Sequence, residues 1–128
     1  LSLLYFKEFH MSFEVILKNL VDNVPHAIGA ILVDWEGEAV MEHCHCDPYE
    51  IRFIAAHKGI VLARLKEMQS SAQQGEVEDV VVTTSNGHLI IGCINQDYSL
   101  VMNIARNGLV AMALHHFRMA IIEFKKEI

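Results

Sequence analysis

Basic residues are scarce in this 128-residue chain: ten Lys and Arg stand against sixteen Asp and Glu, a formal net charge of −6. The one adjacent basic pair is Lys125-Lys126. An acidic chain repels phosphate backbones and anionic lipid surfaces unless a basic patch overrides the sum, which argues against nucleic acid and membrane surface as partners. Cysteine is also sparse. Cys44, Cys46 and Cys93 form an odd set with no disulfide-scaffold spacing. A reducing cytoplasm is the simplest reading. Long apolar runs are missing as well: Leu1–Phe6 is too short to span a bilayer, is followed by Lys7 and Glu8, and lacks the basic start and apolar core of a secretory signal.

Catalytic motifs are missing too. Gly87 and Gly92 have the separation of a phosphate-binding loop, but Cys93-Ile94 stands where Lys and Ser or Thr are needed to reach phosphate and Mg²⁺. The chain is therefore not read as a nucleotide hydrolase. No H-E-x-x-H, G-x-S-x-G or C-x-x-C occurs, and no cofactor is implied.

What is present is the composition of a folded domain, with 52% apolar and 20% charged residues. The length suits one hydrophobic core. Phe13, Ile16, Leu17, Leu20, Val21 and Val24 recur at three- and four-residue steps and predict an amphipathic helix ended by Pro25. Met11-Ser12-Phe13 reads like a natural start. Residues 1–11 are thus an N-terminal extension, either lying ahead of that start or lengthening the first helix, since Phe6 and Phe9 share register with Phe13.

Ala27–Val33 is a buried strand, Asp34-Trp35-Glu36-Gly37 a turn, and Glu38–Cys46 the returning strand. Asp47-Pro48-Tyr49-Glu50 combines a capping residue, a proline suited to the first helical position and a carboxylate placed for a capping box. The helix it opens should run to Gln73, about 39 Å at ~1.5 Å per residue, with Gly75 as its stop. Val77–Thr84, His88–Ile94 and Tyr98–Ile104 follow as strands, joined by Ser85-Asn86-Gly87 and Asn95-Gln96-Asp97. Asn107 is placed to cap a last helix with the stripe Val110, Leu114, Phe117, Ile121, Phe124 and Ile128. The predicted order is αββαβββα, an α/β (α+β) domain over residues 12–128 with one antiparallel sheet.

The middle helix carries apolar residues on two sides. At ~100° per residue, one stripe holds Ile51, Ile54, Ala55, Val61, Leu62, Leu65 and Met68, and a roughly opposite one holds Phe53, Ala56, Ile60 and Ala63. Arg52, Gly59, Lys66 and Ser70 line one polar seam, His57 and Arg64 the other. A helix lying on a sheet needs one apolar stripe; the second must be covered by the chain's other helices or by a second copy or partner. We take the second copy as the expectation. Val77–Thr84 begins the strand meander and is expected at a sheet edge. There Glu78 and Asp79 would blunt it, or the run Val80-Val81-Val82 would pair across a two-fold axis, which is the favoured reading.

The element order, the Asp47-Pro48 helix start and the segment Asn103-Ile104-Ala105-Arg106-Asn107-Gly108-Leu109 before an amphipathic helix resemble the Roadblock/dynein-light-chain family, which includes bacterial MglB-type regulators of Ras-like GTPases. The resemblance covers residues 12–127. It implies a five-stranded antiparallel sheet with the long helix on one face and both terminal helices on the other. It also implies dimers formed through middle helices and edge strands. Mapped here, the interface residues are Phe53, Ala56, Ile60, Ala63, Val77, Val80, Val81, Val82 and Thr83. Arg52, His57, Arg64 and Lys66 are the candidates for touching a partner, expected to be a small Ras-like GTPase. An arginine finger from Arg52 or Arg64 is one route to stimulating hydrolysis; repositioning the GTPase's own switch loops is the favoured one.

Two other readings stay open. One is an assembly scaffold without effect on nucleotide hydrolysis. The other is a metal or redox sensor built on His43-Cys44-His45-Cys46, where His43 and His45 share a strand face. A closed zinc site would need further ligands there, with His57, His88 or Cys93 as candidates.

Overall fold

The computed structural model describes residues 2–45, 47, 48, 50–52, 54 and 75–128, with side chains described from Phe13 onward. Helix α1 spans Ser2–Asn23, so helical backbone begins within the N-terminal extension. Strands β1 (Ala27–Asp34) and β2 (Ala39–Cys44) form the first hairpin; β3 (Asp79–Thr84), β4 (Gly87–Cys93) and β5 (Tyr98–Ala105) form the meander. Helix α2 (Val110–Glu127) ends the chain. Between the strand groups, Pro48, Glu50, Ile51, Arg52 and Ile54 are helical, with Pro48 the first of them.

The five strands lie in one antiparallel sheet ordered β2-β1-β5-β4-β3. Alternation along each strand divides the core in two. Ala30, Leu32, Ile90, Leu100, Met102 and Ile104 face α1 and α2, meeting Phe13, Leu17, Leu20, Phe117 and Phe124. Phe13 and Phe124 join the two helices ring to ring, with centroids 5.5 Å apart and planes tilted by 59°. Ile31, Val33, Ile91 and Val101 face the opposite side, where Ile51 and Ile54 cover them. The stripe beginning Ile51-Ile54 is therefore, at its start, the one on the sheet.

Local chemistry explains the turns. Asp34 Oδ1 accepts from the backbone N–H of Glu36 and of Glu38, both at 2.9 Å, which closes the β1–β2 loop around Gly37. His26, after Pro25, sits at φ 67°, the left-handed region that reverses the chain from α1 into β1. Its carbonyl then accepts from Ala105 N at 2.9 Å.

Several expected boundaries move. The β3–β4 turn consists of Ser85 and Asn86 alone, because Thr84 pairs directly with Gly87. Gly87 belongs to the strand, and its value there is close approach: a Cβ would stand 2.7 Å from the Ile104 carbonyl oxygen. The N-cap of α2 is Leu109, without a side-chain capping bond, rather than Asn107. Gly108 N donates to the Ala105 carbonyl at 2.9 Å, so Asn107 lies within that turn. In α2, Ala113 and Ala120 join Phe117, Ile121 and Phe124 in the buried set, while Ile128 is exposed. Small residues there let the helix lie close to the sheet. β2 ends at Cys44, and β3 starts at Asp79, with Val77 packed against the second core from outside the strand.

Candidate interaction surface

β3 is the last strand in the sheet order, and among the described residues no strand lies beyond it. The direction of its free groups follows from one bond. Cys93 N donates to the Glu78 carbonyl at 3.0 Å, which fixes the phase of the β3–β4 ladder. Alternate residues onward, Val80, Val82 and Thr84, then bond to Ile91, Leu89 and Gly87 opposite them. The N–H and C=O groups of Asp79, Val81 and Thr83 consequently point away from the sheet. That is an unpaired edge in register for another strand.

The side chains along this edge are held from one side. Arg118 of α2 grips the Asp79 carboxylate through Nε at 2.9 Å and Nη2 at 3.2 Å. The Asp79 hydrogen bond, then its charge, raise the Arg118 guanidinium above its ordinary range. Thr83 Oγ1 lies 2.8 Å from His88 Nδ1, and His88 Nε2 lies 3.2 Å from the Arg106 carbonyl. A carbonyl only accepts, so Nε2 carries the proton and Nδ1 accepts from the threonine hydroxyl. Val80 packs on the middle-helix side of the sheet. Val81, on the other face, is 37% exposed. The edge is thus stiffened by charge and hydrogen bonds while its backbone stays open.

At the opposite edge, Arg52 lies across β2. Its Nε donates to Glu42 Oε2 at 2.7 Å, and its Nη2 completes the fork on Oε1. The Glu42 hydrogen bond, then the Glu42 charge, raise the arginine above its ordinary range. Arg52 is exposed but already engaged, and to reach a partner's phosphate it must release a bidentate carboxylate. His57, Arg64, Lys66 and the second stripe of Phe53, Ala56, Ile60 and Ala63 lie outside the described residues, as does Cys46.

Two features bring together residues far apart in sequence. A groove of about 630 Å³ between α1 and α2 is lined by Val15, Ile16, Leu20, Met119 and Ala120, with Glu123 and Glu127 at its rim. Asp22, in the last turn of α1, meets His43 and His45: its Oδ1 is 3.4 Å from His43 Nε2 and 3.2 Å from His45 Nε2. Of the further metal ligands expected from sequence, His88 is committed to Thr83 and Arg106, and Cys93 packs on the far face of the sheet. The residue that joins the histidine pair is a carboxylate from α1.

Among the described residues, no helix is long and apolar enough to cross a membrane. By sequence, the chain matches no family model and no curated protein. By structure, it is similar to the gliding protein MglB of Thermus thermophilus, with a TM-score of 0.84 at 12% identity over 93% of this chain and 90% of that one. It is similar to a Roadblock/LC7 domain from Streptomyces avermitilis, with a TM-score of 0.78 at 20% identity over 87% of this chain and 92% of that one. It is also similar to MglC of Myxococcus xanthus, with a TM-score of 0.66 at 19% identity over 91% and 99% of the two chains. Sheet order, helix placement and these likenesses agree: the chain has the Roadblock fold, in an MglB-like form.

Proposed function

We propose that the protein is a non-enzymatic dimeric platform that binds and regulates a small Ras-like GTPase. The observation that carries the dimer is the open β3 edge, where Asp79, Val81 and Thr83 present backbone groups in register for a second copy. Such an edge is ordinarily covered, blunted or paired. Side-chain bonds to α2 and β4 stiffen this one and leave its backbone uncovered. The second apolar stripe of the middle helix, Phe53, Ala56, Ile60 and Ala63, supports the same reading, because it gives a second copy a surface to bury. Likeness in fold to MglB, one form of which has a tetrameric arrangement, supports assembly between copies.

The regulatory part rests on the MglB-like fold together with the missing phosphate-binding lysine at Cys93-Ile94, which leaves nucleotide chemistry to a partner. With Arg52 held by Glu42, repositioning of the partner's switch loops is favoured over an inserted arginine. The test mixes the purified chain with small Ras-like GTPases encoded beside it and measures co-elution and GTP hydrolysis. Co-elution with altered hydrolysis is expected. Co-elution with unchanged hydrolysis would make the protein an assembly scaffold, and no association with any of them would refute the proposal.

A further inference from the structure

The hairpin and the end of α1 converge on a set of donors with no role in dimerisation or partner binding as described above. β2 pairs antiparallel with β1, so its last residues return beside the point where α1 enters the sheet: Ala30 lies opposite His43, and His45 N donates to the Ile28 carbonyl at 2.9 Å. His43 and His45, two residues apart, project from the same face, toward α1. Cys44 projects from the other. Asp22 reaches them from the last turn of α1, where the helix dipole adds negative potential. The three donor atoms lie within 4.8 Å of one another.

We propose that Asp22, His43 and His45 form a binding site for one divalent first-row transition ion of the zinc class. Bonds of ~2.0–2.2 Å from zinc to imidazole nitrogen and carboxylate oxygen place tetrahedral donors about 3.3 Å apart. The two Asp22–His separations are 3.4 and 3.2 Å. A second observation points the same way. His43 Nε2 is buried and makes no hydrogen bond, although Asp22 Oδ1 lies 3.4 Å away. A buried imidazole nitrogen without a partner is costly, and an ion between nitrogen and carboxylate would satisfy it.

Two neutral imidazoles and one carboxylate favour zinc, nickel, cobalt or copper over magnesium or calcium, which prefer oxygen. The side chains are 39%, 26% and 55% exposed for Asp22, His43 and His45. One side of the ion would therefore face solvent, leaving a fourth position for water or for a donor from another molecule. The ion would tie the end of α1 to the β2 edge, at the opposite side of the sheet from β3.

The test uses the full chain without a polyhistidine tag, stripped with chelator and titrated calorimetrically with Zn²⁺ and with Mg²⁺. One Zn²⁺ per chain, a Zn²⁺-dependent rise in melting temperature and no response to Mg²⁺ are expected. His45→Ala and Asp22→Asn, both at part-exposed positions, should each weaken Zn²⁺ binding by at least ~100-fold, while Cys44→Ser leaves it unchanged. Should a variant misfold, Co²⁺ bound to the wild type reports on the donors directly: a spectrum without thiolate charge transfer supports the site. Substoichiometric or unsaturable binding, affinity retained in both His45→Ala and Asp22→Asn, loss in Cys44→Ser, or a cobalt–thiolate band would each overturn it.

Discussion

Replacing Val81 with proline separates the proposed role of the β3 edge from its role in the fold. Val81 N–H points away from β4, so the substitution removes no bond from the β3–β4 ladder, and edge strands tolerate proline at such positions. The monomer should fold with a small loss of stability from the altered φ. Pairing between copies is a different matter. Two antiparallel β3 strands centred on Val81 would exchange about six hydrogen bonds through Asp79, Val81 and Thr83, and proline removes about two of them. At ~1 kcal/mol net per bond, the loss is about 2 kcal/mol, and two stranded carbonyls add ~1–3 kcal/mol each. These sum to at least ~4 kcal/mol, so the dimer dissociation constant should rise about 1,000-fold or more. Sedimentation across a dilution series, with circular dichroism to confirm the fold, reads both quantities. Val81→Ala, which keeps the N–H, should leave association near wild type. An unchanged dissociation constant in Val81→Pro, with the fold intact, would show that β3 is not where the copies join.

Other expectations concern the core and the second helix surface. Phe117→Ala, at a fully buried position between α2 and the sheet, should cost about 3–5 kcal/mol in denaturant unfolding. Gly92→Ala places a Cβ 2.5 Å from Phe117 Cε1 and 2.6 Å from Ile121 Cδ1, so an overpacking cost of ~1–3 kcal/mol is expected. Adding Ile121→Val, which removes that Cδ1, should recover part of it in the same assay. Ile60→Glu, on the second stripe of the middle helix, should weaken self-association because an unpaired charge is costly to bury; an unchanged elution volume would place Ile60 elsewhere.

Elements bounded by strong local chemistry were legible in the sequence. The short apolar run Ala27–Val33, the Asp34 turn and the Pro48 helix start act through neighbours within a few residues, and each lies where its pattern put it. The places that differ are those where a distant partner decides. Asn-Gly read as a hairpin turn, but Gly87 pairs with Thr84 in the ladder, and the Ile104 carbonyl beside it leaves no room for a side chain. Asn107 read as a cap, but the helix starts after Leu109. The edge position of β3 followed from its being first in the meander; which of its backbone groups are free depends on the Cys93–Glu78 bond, which no residue type announces. Asp22 was hidden because it lies far from His43 in sequence. A signal did exist. A tight hairpin brings the end of β2 back beside the start of β1, and α1 ends just before that start, so an acidic last turn falls next to any donor near Cys44.

The claim on which the platform depends is that two copies associate. Sedimentation equilibrium on the wild-type chain, from low to high micromolar concentration, tests it most directly. The expected species at high concentration has twice the 14.5 kDa chain mass. A single species at 14.5 kDa over the whole range would contradict it.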